Sequence, residues 1–360
     1  MFVNIIGVAL ASFALVQASL SDKIVYTGRF DFSNGYPVAD WSGSRLTFFV
    51  EGSDGTAEVH MPVSMGGEIE SFNYYVGIEV NCNLIGKYNI SPSTPALEFS
   101  FDTELGSTYE VSVIKLTEAS TGAMAFNGFK VNHANLLDPK GISRCHDGAL
   151  KMLVVGDSIT AAYGVDGEYP CSFSPDTENI LESYATLVAA NIGAEVHTVA
   201  WSGKGVVRNY GDENTTSPDP MPTFYNRTLG ISGDPALFWN PSTAEFAPDL
   251  VLVTLGSNDY STEPHPSDAD FVAGYSALVG QIRQDYPLAL VASVCEPTPG
   301  LHECENEQEV AESMGIGFIA VPDDIYVEPE GCDYHPSVQG QRNIADIVTP
   351  AVLDMLMKHR

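Results

Sequence analysis

Lys151-Met152-Leu153-Val154-Val155-Gly156-Asp157-Ser158-Ile159-Thr160 decides the fold. A short apolar strand, 151–155, ends at a glycine, and a serine stands where a helix is expected to begin. Two later stretches have the same form. Strand 195–200 runs into Trp201-Ser202-Gly203-Lys204-Gly205, and strand 250–255 runs into Gly256-Ser257-Asn258-Asp259. Helices are expected over 183–191, with Tyr184, Leu187, Val188 and Asn191 on one stripe and Gly193 as its stop, and over 268–284. Strands follow at 289–294 and 317–321, then a last helix carrying Ile344, Ile347, Val348, Ala351, Val352 and Met355, with Pro350 as a point of kinking. Strands alternating with helices predict a parallel sheet covered on both faces, over 150–360.

The chain before it has a different grammar. Over 23–137 apolar residues alternate with polar ones: Val59, Met61, Val63; Tyr74, Val76, Ile78, Val80; Leu97, Phe99, Phe101; Tyr109, Val111, Val113. Gly, Asn, Ser and Pro clusters separate these runs, which predicts an antiparallel β-sandwich of short strands. A polar stretch with Pro139 and Gly141 joins the halves, so 138–149 is expected to be a linker. The length of 360 residues agrees with two domains.

Residues 1–18 are uncharged and largely apolar and end in Val16-Gln17-Ala18, the form of a secretory signal peptide. Three sequons, at Asn89, Asn214 and Asn226, and an even count of six cysteines agree with export into an oxidising compartment. Cys295 and Cys304 flank one short loop and are the expected pair. The net charge of −31 repels phosphate backbones and anionic lipid, so nucleic acid and membrane surfaces are excluded as partners. A monomer is expected. There is no His-Glu-x-x-His, no paired Cys-x-x-Cys and no phosphate loop, so neither a metal nor a cofactor is expected.

In an open α/β sheet, chemistry collects beyond the carboxyl ends of the strands. Ser158 stands at one such end. A serine there is by itself an ordinary helix cap. The two neighbouring phrases change that reading. Gly203 offers a bare main-chain N–H and Asn258 a side-chain amide, which with the N–H of Ser158 make three donors for an oxyanion. The base must be a histidine. His60, His133, His146, His197, His265 and His302 lack a supporting phrase, and His359 adjoins the C-terminus. His335 lies in Cys332-Asp333-Tyr334-His335-Pro336-Ser337, with Pro336 expected to open the final helix and Asp333 near enough in sequence to orient the imidazole.

Gly156-Asp157-Ser158-Ile159-Thr160, Gly203, Gly256-Ser257-Asn258-Asp259 and Asp333-x-His335-Pro336 together resemble the four blocks of SGNH/GDSL hydrolases. The resemblance implies a three-layer, flavodoxin-like domain with Ser158 as nucleophile, His335 as base and Ser158, Gly203 and Asn258 as oxyanion donors. Finer features resemble carbohydrate esterase family 2, acetyl-xylan-type esterases with a jelly-roll sandwich before the hydrolase domain. These are Tyr26-Thr27-Gly28-Arg29, Ser202-Gly203-Lys204-Gly205, Met221-Pro222-x-x-Tyr225-x-Arg227-Thr228 and Cys332-Asp333-Tyr334-His335-Pro336. Members differ in whether an acid or a main-chain carbonyl orients the histidine, so Asp333 and a carbonyl both stand open. The aromatic before the histidine lines the sugar site in that family, which makes Tyr334 a candidate contact. Tyr225, Tyr260 and Trp239 are further candidates, each also a natural core residue.

The expected function is therefore a secreted esterase that removes O-acetyl groups from xylan, glucomannan or their oligomers. A lipid or aryl esterase on the same fold is one alternative, and a carbohydrate-binding protein with a vestigial site is another.

Overall fold

The structure, a computed structural model, describes residues 22–66, 73–145, 148–296, 303–322, 325 and 329–359. The expected signal peptide, along with His146 and His302, lies outside them. Alternation builds the first half as expected. In Ala96–Thr103, Leu97, Phe99 and Phe101 turn into the core while Glu98, Ser100 and Asp102 face water. That strand pairs antiparallel with Gly55–Gly66, setting Val59 opposite Phe99 and Met61 opposite Leu97. A second antiparallel sheet runs Val25–Thr27, Arg45–Gly52, Thr108–Lys115, Tyr74–Val80, Asn83–Ile90. The two sheets enclose one core containing Phe48, Tyr74, Ile78 and Val113, which makes this half an antiparallel sandwich.

The second half holds five strands, β1 (Leu150–Gly156), β2 (Ala194–Ala200), β3 (Leu250–Thr254), β4 (Leu290–Cys295) and β5 (Gly317–Ala320). All pairings are parallel, and the spatial order is β2-β1-β3-β4-β5. Alternate residues of β1 go to opposite faces. Leu153 and Val155 pack with the helix α4 (Asp268–Asp285), while Met152 and Val154 pack with α2 (Tyr184–Ile192) and α6 (Val338–His359). Short helices α1 (Ser158–Ala161) and α3 (Ser257–Tyr260) leave the ends of β1 and β3, and α5 (Glu303–Met314) lies beside α4. The strand order reverses between β1 and β3, the switch point at which such sheets open a crevice.

Three details differ from expectation. The buried stripe of α2 is Tyr184, Ala185, Val188 and Ala189, not Tyr184, Leu187, Val188 and Asn191. Ala185 and Ala189 take the buried places expected of Leu187 and Asn191, in one apolar cluster with Ile344 and Val348. The last helix starts at Val338, with Pro336 two residues ahead of it, and continues through Pro350. Helix α5 had no sequence signal, because its first turns are acidic and two of its carboxylates, Glu303 and Glu307, face inward.

The halves share packing. Trp41 and Ala119 of the sandwich belong to the same apolar cluster as Leu153 and Val155. The buried Asp40 carboxylate accepts the main-chain N–H groups of Gly230 and Ile231, both at 3.0 Å. Arg29 donates to the carbonyls of Tyr225 and Arg227. Disulfides join Cys82 to Cys145, Cys171 to Cys332 and Cys295 to Cys304. No helix among the described residues is long and apolar enough to cross a membrane.

Candidate active site

Strand β1 ends at Gly156, where any side chain would overlap Thr160. Asp157 follows in a non-helical conformation and its carboxylate accepts the Ile159 N–H at 3.0 Å, capping α1. Ser158 thus opens a helix with its own N–H unpaired among the described residues. The Ser158 side chain lies 2.8 Å, Oγ to Nε2, from His335.

His335 is held from behind by main chain. Its Nδ1 lies 3.2 Å from the carbonyl oxygens of both Cys332 and Asp333. A carbonyl only accepts, so Nδ1 carries the proton and Nε2 is left as the base facing Ser158. Burial lowers the His335 pKa, opposed by these two carbonyls and by the Asp333 charge. The imidazole also stacks on the Tyr163 ring, centroids 4.2 Å apart.

Asp333 does not meet the imidazole with its carboxylate. That group accepts the Tyr163 hydroxyl at 2.5 Å and the Phe173 N–H at 3.0 Å. The Tyr163 bond is the main reason its pKa is lowered. The backbone explains the geometry: Asp333 and Tyr334 are both left-handed, with φ of 51° and 64°. That conformation turns the carbonyls of 332 and 333 onto the ring. It is held by the Cys171–Cys332 disulfide and by the Asp333 N–H donating to the Cys171 carbonyl at 2.9 Å. Of the two orienting groups the sequence left open, the carbonyl is the one in contact.

The phrase after β3 ties the crevice together. Asn258 donates from its amide nitrogen to Asp157 at 2.7 Å and to the Lys204 carbonyl at 3.1 Å. Both amide protons of Asn258, an expected oxyanion donor, are engaged in this arrangement. It links the loops after β1 and β2. Its neighbour Asp259 accepts the N–H groups of Val206, Val207 and Arg208 at 2.8, 2.8 and 2.9 Å, fixing the loop that follows Gly203. Burial pushes Asp157 and Asp259 up to about 6 each. Gly203 has φ +80°, open space where a Cβ would stand except for Tyr210, and an N–H without an acceptor among the described residues.

Residues 154–342 match the GDSL-like Lipase/Acylhydrolase family, and 26–139 match the carbohydrate esterase 2 N-terminal region. The chain belongs to the GDSL-like lipase/acylhydrolase family. It is 32% identical over 348 residues to the cellulase/esterase CelE of Acetivibrio thermocellus, an alignment covering 92% of this chain and 39% of that protein. It is 31% identical over 141 residues to an acetylxylan esterase/glucomannan deacetylase of Cellvibrio japonicus, covering 39% of this chain and 38% of that one. The chain thus spans about two fifths of the length of the first of these relatives. A solved family two carbohydrate esterase from Clostridium thermocellum, in complex with cellohexaose, superposes with a TM-score of 0.80 at 29% identity. That likeness covers 92% of this chain and 99% of the other.

Within this GDSL-family site the aromatic candidates separate. Tyr334 is 63% exposed, and its ring lies 4.3 Å from that of Tyr169. Tyr225 and Tyr260 are buried, Tyr260 with its hydroxyl accepting from Asn306 at 2.8 Å, and neither presents a face to a ligand. Trp239 donates to Tyr286 and lies under the Arg29 guanidinium, in the packing between the halves. The structure places these three in one apolar cluster. Asn89 and Asn214 are exposed and Asn226 is half-buried. Sequence reading missed Tyr163, Asp157 and Asp259. The two acids stand inside the quoted phrases, and Tyr163 lies five residues past the serine with no motif to mark it.

Proposed function

We propose that this chain is a secreted serine esterase that removes O-acetyl groups from plant cell-wall polysaccharides or oligosaccharides such as xylan and glucomannan. The observation that carries the reading is the 2.8 Å contact between Ser158 Oγ and a His335 Nε2 left unprotonated by the two carbonyls at Nδ1. Nε2 takes the hydroxyl proton as Oγ attacks the acetyl carbonyl. The N–H groups of Ser158 and Gly203 receive the oxyanion, and Asn258 contributes by sharing a proton already given to Asp157 or Lys204. His335 returns the proton to the departing sugar oxygen, leaving an acetyl-serine, and water attacks that ester with His335 again as base.

The substrate class is supported by the names of the relatives and by the exposed Tyr169–Tyr334 pair near His335, whose faces suit stacking on a sugar ring. Export is supported by three disulfides and by exposed sequon asparagines at 89 and 214. The test is acetate release from acetylated xylan and glucomannan by wild type and Ser158→Ala. Release that vanishes in the variant is the expected result. Undiminished release by Ser158→Ala overturns the mechanism, and no release by wild type overturns the substrate assignment.

A further inference from the structure

Glu118 belongs to the sandwich half, but its carboxylate faces the hydrolase half. It lies just beyond the strand Thr108–Lys115 and is 2% exposed. One of its oxygens accepts both the main-chain N–H of Ser202 at 2.8 Å and the Ser202 hydroxyl at 2.5 Å. The loop that carries it is anchored in turn. The buried Lys115 ammonium donates to the carbonyls of Thr117 at 2.6 Å and Glu118 at 2.8 Å.

Ser202 and Gly203 are the central residues of a turn closed by Lys204 N–H donating to the Trp201 carbonyl at 3.2 Å. A φ of +80° at the third position makes it a type II turn. Types I and II differ chiefly by rotation of the peptide between the two central residues, roughly a half turn. Here that peptide consists of the Ser202 carbonyl and the Gly203 N–H. Neither group has a hydrogen-bond partner among the described residues. The peptide is therefore free to rotate unless its neighbour is fixed, and Glu118 fixes that neighbour by two bonds.

We propose that Glu118 is a positioning residue of the reaction: through Ser202 it holds the 202–203 peptide in the orientation that presents the Gly203 N–H to the oxyanion. The sandwich then takes part in catalysis by setting one donor of the hole. This inference rests on the esterase reading given above.

The test uses p-nitrophenyl acetate, which needs no sugar recognition, and the rate at which diethyl p-nitrophenyl phosphate modifies Ser158, whose phosphoryl oxygen occupies the same hole. Wild type is compared with Glu118→Ala, Glu118→Gln and Ser202→Ala, each checked for a native melting transition. Outright loss of a donor typically costs about 100- to 1,000-fold, so a misaligned one is expected to cost roughly 10- to 100-fold in kcat. Glu118→Ala should show that loss with KM within about twofold of wild type, a split that general loosening would not give. The phosphylation rate should fall in parallel. Glu118→Gln keeps an acceptor oxygen in place and should recover most of the rate, and Ser202→Ala, which removes one of the two bonds, should fall between. A folded Glu118→Ala at wild-type kcat overturns the inference. If that variant fails to fold, Ser202→Ala at wild-type kcat overturns it. A wild type inert to both reagents overturns the esterase reading and the inference with it, whereas a reactive wild type with indifferent variants overturns the inference alone.

Discussion

Asp333 orients His335 through its backbone and not through its side chain. Its carbonyl oxygen lies 3.2 Å from Nδ1 while its carboxylate is turned to Tyr163 and Phe173. The left-handed conformation at 333 makes this division possible, because it swings the carbonyl inward and the side chain outward. A pair of carbonyl dipoles fixes the tautomer as a carboxylate would. It stabilises the imidazolium less, since neither dipole bears a full charge.

Replacing the carboxylate should consequently matter little. Asp333→Asn keeps an acceptor for Tyr163, and asparagine tolerates a left-handed backbone. Its kcat on p-nitrophenyl acetate is expected to stay within about tenfold of wild type, against about 10,000-fold when a true triad aspartate is made asparagine. A loss approaching the larger figure would mean that the carboxylate reaches the imidazole in the working enzyme.

The pH profile tests the same site from the side of the proton. As the proposed base His335 works only when neutral, and burial lowers its pKa. Lowering means that the neutral form persists further into acid. The acid limb of kcat/KM should have its midpoint below the ordinary histidine value of about 6.5. The Asp333 charge raises the His335 pKa, so Asp333→Asn should move the limb to still lower pH. A midpoint at or above 7, or a shift upward in the variant, would contradict this assignment.

Much of this was legible in the sequence because local pattern and tertiary role agree there. The β1 run is buried on both faces, so it reads as an uninterrupted apolar strand, and the turn residues after three strand ends mark the crevice. Ser158 and His335, which such phrases singled out, are brought into contact. What could not be read depends on where chains meet. Glu118 looks like any acid after a strand until Ser202 is brought against it. Helix α5 hides its role because its inward face carries Glu303 and Glu307, and periodicity counts those as solvent-facing. The role of Asp333 turned on two backbone angles that residue types did not dictate.

The Cys171–Cys332 disulfide bears on both stability and rate. It closes a loop of sequence separation 161 and sits directly before the strained pair at 333 and 334. Loss of a native disulfide typically costs about 2–5 kcal/mol. Cys171→Ser is expected to lower the melting temperature and also to reduce kcat several-fold at temperatures well below melting, because the carbonyls at 332 and 333 lose their anchor. Cys82→Ser, which opens the Cys82–Cys145 disulfide of the sandwich half, should lower stability without the same loss of kcat relative to KM. Equal kinetic effects in the two variants would argue that the disulfide only stabilises the fold.

Stability itself should respond to pH in a direction unusual for proteins. Burial raises Asp40, pushes Asp157 and Asp259 up to about 6, and drives Glu178, Glu296 and Glu307 well above the ordinary carboxylate range. These groups bind protons more tightly folded than unfolded, so their contribution is full in acid and lost as pH rises through the folded values. His197 and His335 work the other way, since burial lowers both and each favours the unfolded state as pH falls below about 6.5. Six raised carboxylates stand against two lowered histidines, so the melting temperature at pH 5.5 should exceed that at pH 8.5. Glu296→Gln, which mimics the protonated form beside Asp157, should raise the melting temperature at pH 8.5 and leave it nearly unchanged at pH 5.5. A melting temperature that climbs steadily from pH 5.5 to 8.5 in wild type would mean that these carboxylates are ionised and compensated in the folded protein.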